Sequence, residues 1–122
     1  MPVVSISLNE KLLEKLEEIE EKVGYSGRSE VIRTAVRDFI SEKEDLEGLE
    51  GDITVVLNVR HEHDAGLDIH DYQGLVRSQL HDHDGNGNCL QVFILEGNAD
   101  EVVEMYEFIE SRKGVLKADL ST

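Results

Sequence analysis

The feature that most constrains this chain stands at its start: one short strand pattern, then two single-striped helices, with nothing close by to complete a core. Residues 3 to 8 read Val3-Val4-Ser5-Ile6-Ser7-Leu8, so apolar Val4, Ile6 and Leu8 alternate with Ser5 and Ser7, the period of a half-buried strand. Asn9 is suited to cap a helix. There Leu12, Leu13, Leu16, Ile19 and Val23 recur at helical spacing, and Gly24 ends the run. After Tyr25 and Ser26, Gly27 and Glu30 are spaced like a cap and the third helical residue. A second stripe follows through Val31, Ile32, Ala35, Val36, Phe39 and Ile40. A lone short strand cannot satisfy its own ladder, and two helices with one stripe each barely make a core.

The pattern closes if two chains pair their strands antiparallel and intertwine their helices, the logic of a ribbon-helix-helix dimer. The paired ribbon buries Val4, Ile6 and Leu8 and presents Ser5 and Ser7. A two-stranded ribbon fits the major groove of B-DNA, where hydroxyls can read base edges. The start of the second helix, Gly27 to Ser29, offers backbone N–H groups to a phosphate, with Arg28 beside it. A plain dimerisation module with solvated serines is the other reading of the same residues.

Charge runs against a DNA partner at first sight. The 122 residues hold 12 Lys+Arg against 27 Asp+Glu, a formal net charge of −15, whereas phosphate binding rests on Lys and Arg. The first 45 residues carry a net −4 and the remaining 77 a net −11, so the basic residues concentrate in the first half. Adaptation to very high salt also accounts for a dense carboxylate surface, since the Debye length falls to about 3 Å at 1 M. The sign of the net charge therefore does not settle the partner. No apolar run approaches the length of a membrane span, and the N-terminus lacks a basic-then-apolar pattern. The expectation is neither a span nor a secretory signal. A single Cys excludes an internal disulfide framework and fits a reducing cytoplasm.

Two glycines among five acids, from Glu44 to Asp52, read as a linker. The expected organisation is a domain over residues 1–45, an acidic linker over 46–52 and a second domain over 53–122. In the second domain, Ile53 to Val59 is a strand rich in β-branched residues. Asp68 to Leu80 fits a helix carrying Ile69, Tyr72, Leu75 and Val76. A short stretch to Asp84 leads into the turn signal Asp84-Gly85-Asn86-Gly87-Asn88. Cys89 to Leu95 is another strand, Asn98 caps a helix with Val102, Val103, Tyr106, Phe108 and Ile109, and Val115 to Leu120 alternates as a last strand. The sum is an α+β chain whose second half is β-α-β-β-α-β, the ferredoxin-like arrangement.

All five His lie between positions 61 and 83, and the only Cys follows at Cys89. His81 and His83 are two apart, so on a strand both imidazoles project from one face. The turn then brings Cys89 onto the adjacent strand, and His70 on the preceding helix is the fourth candidate. Three imidazoles and a thiolate include no hard oxygen ligand, which argues against Mg and Ca. Tetrahedral geometry would suit Zn, and planar geometry Ni(II) or Cu(II); the spacing does not choose between them. For His61 and His63, flanked by Glu62 and Asp64, a weak accessory site and a solvated edge fit equally well.

A ribbon-helix-helix start, an acidic linker, a ferredoxin-like half and the pattern H-x10-H-x-H-x5-C together resemble the nickel-responsive transcriptional regulators of the NikR type. Gly24-Tyr25, Arg28-Ser29-Glu30 and Ile32-Arg33 add to the likeness, which covers nearly the whole chain. The resemblance implies that His81, His83 and Cys89 bind Ni(II) from one subunit, one ion per subunit, and that His70 of the neighbouring subunit completes a square-planar site. It further implies an ACT-like tetramerisation core, hence a homotetramer built as a dimer of dimers, that engages a palindromic operator and represses nickel-uptake genes. Where the family usually has a basic residue on the DNA-facing side of the ribbon this chain has Val3, and Ser5 and Ser7 stand where Thr is common. A missing Arg removes a guanine contact worth ~1–3 kcal/mol of base discrimination. Members also bind a second cation near the domain junction, for which Glu30 is the candidate; Thr34 stands where another acid is expected. The alternatives are the same architecture sensing Cu, Co or Zn, and a metal-buffering protein without specific DNA binding. An enzyme is not expected, since no third group orients Cys89 and a His as a nucleophile pair.

Overall fold

In the computed structural model, which describes residues 2–122, the chain divides into two compact units, one running through Glu47 and the other from Gly48 to Thr122. The first unit holds two helices, α1 (Glu10–Val23) and α2 (Arg28–Glu47). Asn9 caps α1 as expected, its side chain accepting the Leu12 N–H at 2.8 Å. Gly24, in the left-handed region at φ 89°, closes the helix by donating its N–H to the Glu20 carbonyl. Helix α2 continues to Glu47 before Gly48.

The strand expected over residues 3–8 is not formed: residues 2–9 lie outside any helix or strand. The reason is the one that made the segment informative. A strand exists only by its ladder, and among the described residues of the first unit there is no second strand to supply one. Val3 and Val4 are accordingly exposed. The helices show the same incompleteness. No residue of α1 is buried, and only Val31 and Leu46 are buried on α2.

The second unit is a four-stranded antiparallel sheet in the order β2-β3-β1-β4, built from β1 (Asp52–Glu62), β2 (Val76–His83), β3 (Asn88–Asn98) and β4 (Val115–Ser121). Helix α3 (Ala99–Glu110), capped by the Asn98 side chain on the Asp100 N–H, covers one face. The core lies between them. Leu57 of β1 and Phe93 and Leu95 of β3 are fully buried, as are Val102, Met105, Tyr106 and Ile109 of α3. Alternation along β1 sends Val55, Leu57, Val59 and finally His61 to this buried face.

One expected element is corrected. The helix read over Asp68–Leu80 is instead a six-residue 3-10 helix, His70–Leu75, followed directly by β2. The apolar residues explain it: Ile69, Tyr72 and Leu75 are spaced by three, the repeat of a 3-10 turn, and Ile69 and Leu75 are buried. From Val76 onward the chain pairs with β3, with one register irregularity between Val76 and Ser78, and this ladder outweighs helical continuation. The crossover of the ferredoxin-like order is therefore made by two 3-10 helices, His63–Ala65 and His70–Leu75, rather than an α-helix.

The β2–β3 turn is fixed by Asp84. Its carboxylate accepts the N–H of Asn86 at 2.7 Å and of Asn88 at 3.2 Å, while its own N–H donates to the Asn88 carbonyl. Gly85 and Gly87 both take positive φ, 81° and 86°, which only glycine adopts without strain. The Asn86 N–H first, then the Asn88 groups and the Arg60 guanidinium at 3.4 Å, hold the Asp84 carboxyl below its usual range, with burial opposing them.

Candidate metal centre

The register of the sheet assembles the donors. Cys89 on β3 stands directly opposite His61 on β1 and directly opposite His83 on β2. Cross-strand neighbours share a face, so these three form one row. The next row pairs His81 of β2 with Gln91 of β3. His63 lies just past the end of β1, in a 3-10 turn spanning His63–Ala65.

Around Cys89 the donors fall into two triads, His61–His81–Cys89 and His63–His83–Cys89, each with its ligand atoms within 4.8 Å of one another. The Cys89 Sγ lies 3.6 Å from His63 Nδ1 and 3.7 Å from His83 Nδ1. The imidazole rings of His81 and His83 stand 5.6 Å apart between centroids. Cys89 and His61 are buried, whereas His63, His81 and His83 are exposed. A cleft of about 370 Å³ opens here, walled by His61, His63, His81, Cys89 and Gln91 together with Gly66, Leu67 and Ile69. The site thus has its sulfur and the His61 imidazole inside the protein, and its other three imidazoles exposed. Such a borderline nitrogen and sulfur set fits Ni(II), Cu(II) or Zn(II) and not a hard cation.

Of the four candidate ligands read from the sequence, His81 and His83 each come within reach of Cys89, but in different triads, His81 with His61 and His83 with His63. His70 is exposed at the start of its 3-10 helix and is not among the donors within reach of Cys89 in its own chain. Two participants were underread. His61 and His63 repeat the His-x-His spacing of His81 and His83, but only the strand register shows that the two pairs flank the same cysteine. Gln91 carried no signal at all. It is buried, and its amide donates to His61 Nε2 at 2.9 Å, while His61 Nδ1 donates to the Glu62 carbonyl at 2.9 Å.

The residues assigned to DNA lie in the first unit. Val3, Ser5 and Ser7 are all exposed. At the start of α2, the Gly27 carbonyl accepts the N–H groups of Glu30 and Val31; the first-turn N–H groups of Arg28 and Ser29 have no acceptor within a helix. Arg28 and Ser29 are exposed, and the Arg28 guanidinium rests on Glu17 at 3.1 Å, a surface pair worth ~0–1 kcal/mol and readily exchanged for a phosphate. Glu30 is differently placed: Arg33 at 3.0 Å and Arg37 at 3.7 Å share its carboxylate.

These features define a class, a unit of two helices followed by a sheet unit that gathers imidazoles around a buried cysteine. Comparison with known proteins gives the same division. Residues 3–43 match the ribbon-helix-helix proteins of the copG family, and residues 51–122 match the NikR C terminal nickel binding domain. A Halobacterium salinarum protein provisionally named a nickel-responsive regulator is 38% identical over 137 residues, covering 99% of this chain and 90% of its own length. Relatives with the same provisional name in Methanosarcina mazei and Methanocella arvoryzae are 39% and 37% identical over 126 residues, each alignment covering 98% of this chain and 90% of the relative. The chain belongs to the nickel-responsive regulator family, with a ribbon-helix-helix DNA-binding domain followed by a NikR-type nickel-binding domain. That is a family of transcription regulators, not an enzyme class. No helix of the described residues is long and apolar enough to cross a membrane.

Proposed function

We propose that this chain is a cytoplasmic repressor that binds one Ni(II) per subunit through His81, His83 and Cys89, with His70 of the partner subunit as the fourth ligand. The observation that carries the proposal is the placement of the four. His81, His83 and Cys89 lie on one hairpin, with His81 and His83 each within reach of the Cys89 sulfur, whereas His70, exposed, is not among the donors grouped with Cys89 in its own chain. With His70 of the partner subunit as the fourth ligand the set is completed between chains, so metal binding energy is spent on the relative position of subunits. Metal and DNA affinity are then coupled reciprocally. The assembly is a homotetramer, a dimer of dimers. Its paired N-terminal segments present Val3, Ser5 and Ser7 to the major groove of a palindromic operator upstream of nickel-uptake genes. Gly27, Arg28 and Ser29 hold the flanking phosphate.

Titration of the full-length protein with Ni(II), followed by absorption, tests this. Thiolate-to-nickel charge transfer with planar d–d bands is expected to saturate at one ion per chain. It should be lost in Cys89→Ala and in His70→Ala. Bands that survive His70→Ala unchanged overturn the shared site. DNA binding by fluorescence anisotropy should then require Ni(II) in the wild type and fail in both variants.

A further inference from the structure

Phosphate recognition is easiest when guanidiniums stand open to solvent, and in the first unit every arginine is already engaged. Arg28 rests on Glu17 at 3.1 Å, Arg33 on Glu30 at 3.0 Å and Arg37 on Glu30 at 3.7 Å. The pairs are of two kinds. Arg33 and Arg37 share a carboxylate of their own helix, the local pairing that any helical surface forms. The Arg28 pair instead joins two elements, with Glu17 on α1 and Arg28 as the first residue of α2. Arg28 is also the arginine that stands beside the unpaired first-turn N–H groups of α2.

A carboxylate and a phosphodiester offer a guanidinium the same kind of anionic oxygens, so Glu17 and a DNA phosphate compete for one set of donors. We propose that Glu17 is a built-in competitor for the phosphate. It holds the Arg28 guanidinium until DNA displaces it, and so weakens the sequence-independent part of DNA binding. The inference rests on the assignment of Arg28 to the flanking phosphate.

The competition is modest by design of the pair, whose side chains are 55% and 49% exposed; such pairs are weak and screened by salt. That screening has a consequence of its own. Phosphate contacts strengthen as salt falls, because DNA counterions are released on binding. The Glu17–Arg28 pair strengthens as salt falls too. The two trends oppose each other, so affinity changes with salt less steeply than the number of phosphate contacts alone requires. With the phosphate attraction of each unit lowered, DNA binding depends more on base contacts and on two units engaging one duplex together.

The phosphate contribution is independent of sequence, so a fluorescent duplex of mixed sequence serves as the probe, with full-length protein and Ni(II) present. Anisotropy is followed over a series of KCl concentrations for the wild type, Glu17→Gln, Arg28→Ala, the double variant and Glu18→Gln. The last removes the same charge from α1 at a carboxylate that pairs with no arginine among the described residues. Glu17→Gln should bind about threefold more tightly for each Arg28 engaged, hence about tenfold where two engage one duplex, and its affinity should fall more steeply with salt. In the Arg28→Ala background the same substitution should act no more strongly than Glu18→Gln. Unchanged circular dichroism shows that the helices are intact. Equal affinities for Glu17→Gln and Glu18→Gln, with Arg28→Ala weaker than the wild type, overturn the competitor and leave the phosphate contact standing. If Arg28→Ala also binds as the wild type does, or no variant binds the duplex, the phosphate assignment falls and the competitor with it.

Discussion

Phe93, in the second unit, has none of its surface exposed, whereas Phe39, on a helix of the first unit with an equally regular apolar stripe, is 58% exposed. The same contrast runs through both units. Leu57, Leu95, Val102 and Ile109 are sealed between the sheet and α3, while Val36 and Ile40 are about half uncovered on α2. An apolar stripe therefore states that a face will be covered and not what covers it. The second unit supplies its own cover. The first has only its own two helices, and the segment that would form a ribbon remains without a ladder.

The largest effects come from the phenylalanines themselves. Phe93→Ala should destabilise the second unit by about 3–5 kcal/mol, seen as a lower midpoint in chemical denaturation at the same protein concentration as the wild type. Phe39→Ala should act through association instead. If a second copy covers that face, sedimentation will show weaker self-association, and the melt will become concentration-dependent. No change in either measurement would mean that Phe39 is a true surface residue, and the contrast between the units would collapse.

A smaller effect sharpens the same contrast, because Asn9 and Asn98 perform one task in different units. Each caps a helix through its side-chain oxygen, and each replacement by Ala should cost about 1 kcal/mol. Asn98→Ala should lower the unfolding transition of the second unit, and Asn9→Ala should leave that transition where it is while reducing helicity in the first. A common shift in both variants would show that the units unfold together.

The smallest expected effect is on pH. The Asp84 carboxyl is held below its usual range mainly by the Asn86 N–H. A depressed carboxyl contributes stability that is complete above its unfolded pKa, about 3.9, and is lost as pH falls below it. The acid limb of the stability curve should be shallower in Asp84→Asn than in the wild type. Identical limbs would mean that the turn is held by its glycines alone.

What the sequence made legible was local. Asn9, Gly24 and Asn98 marked helix ends because capping chemistry acts within a few residues. The strands of the second unit were visible in β-branched runs, and His81, His83 and Cys89 were visible because a turn of four residues joins their strands. The failures were of two physical kinds. Ile69, Tyr72 and Leu75 satisfy a 3-10 repeat almost as well as an α-helical one, and only the ladder from Val76 onward decides between them. His61 and His63 lie more than twenty residues from Cys89, and their approach depends on strand register, to which periodicity is blind. The strand over residues 3–8 was a third case: the alternation is there, but it describes a pairing that one chain does not contain.

The hairpin from His81 to Cys89 has a consequence for energetics as well as for the site. Its three donors fall within nine consecutive residues, and a loop that short closes at little entropic cost even in a disordered chain. Hairpins of this kind form in about 1–10 μs, so an unfolded polypeptide samples a partial chelate before the sheet exists. Metal then has some affinity for the unfolded chain, which subtracts from the stabilisation that binding to the native state confers. Added metal should therefore raise the melting temperature by less than its affinity for the folded protein implies, and the shortfall measures how much of the chelate the hairpin builds alone.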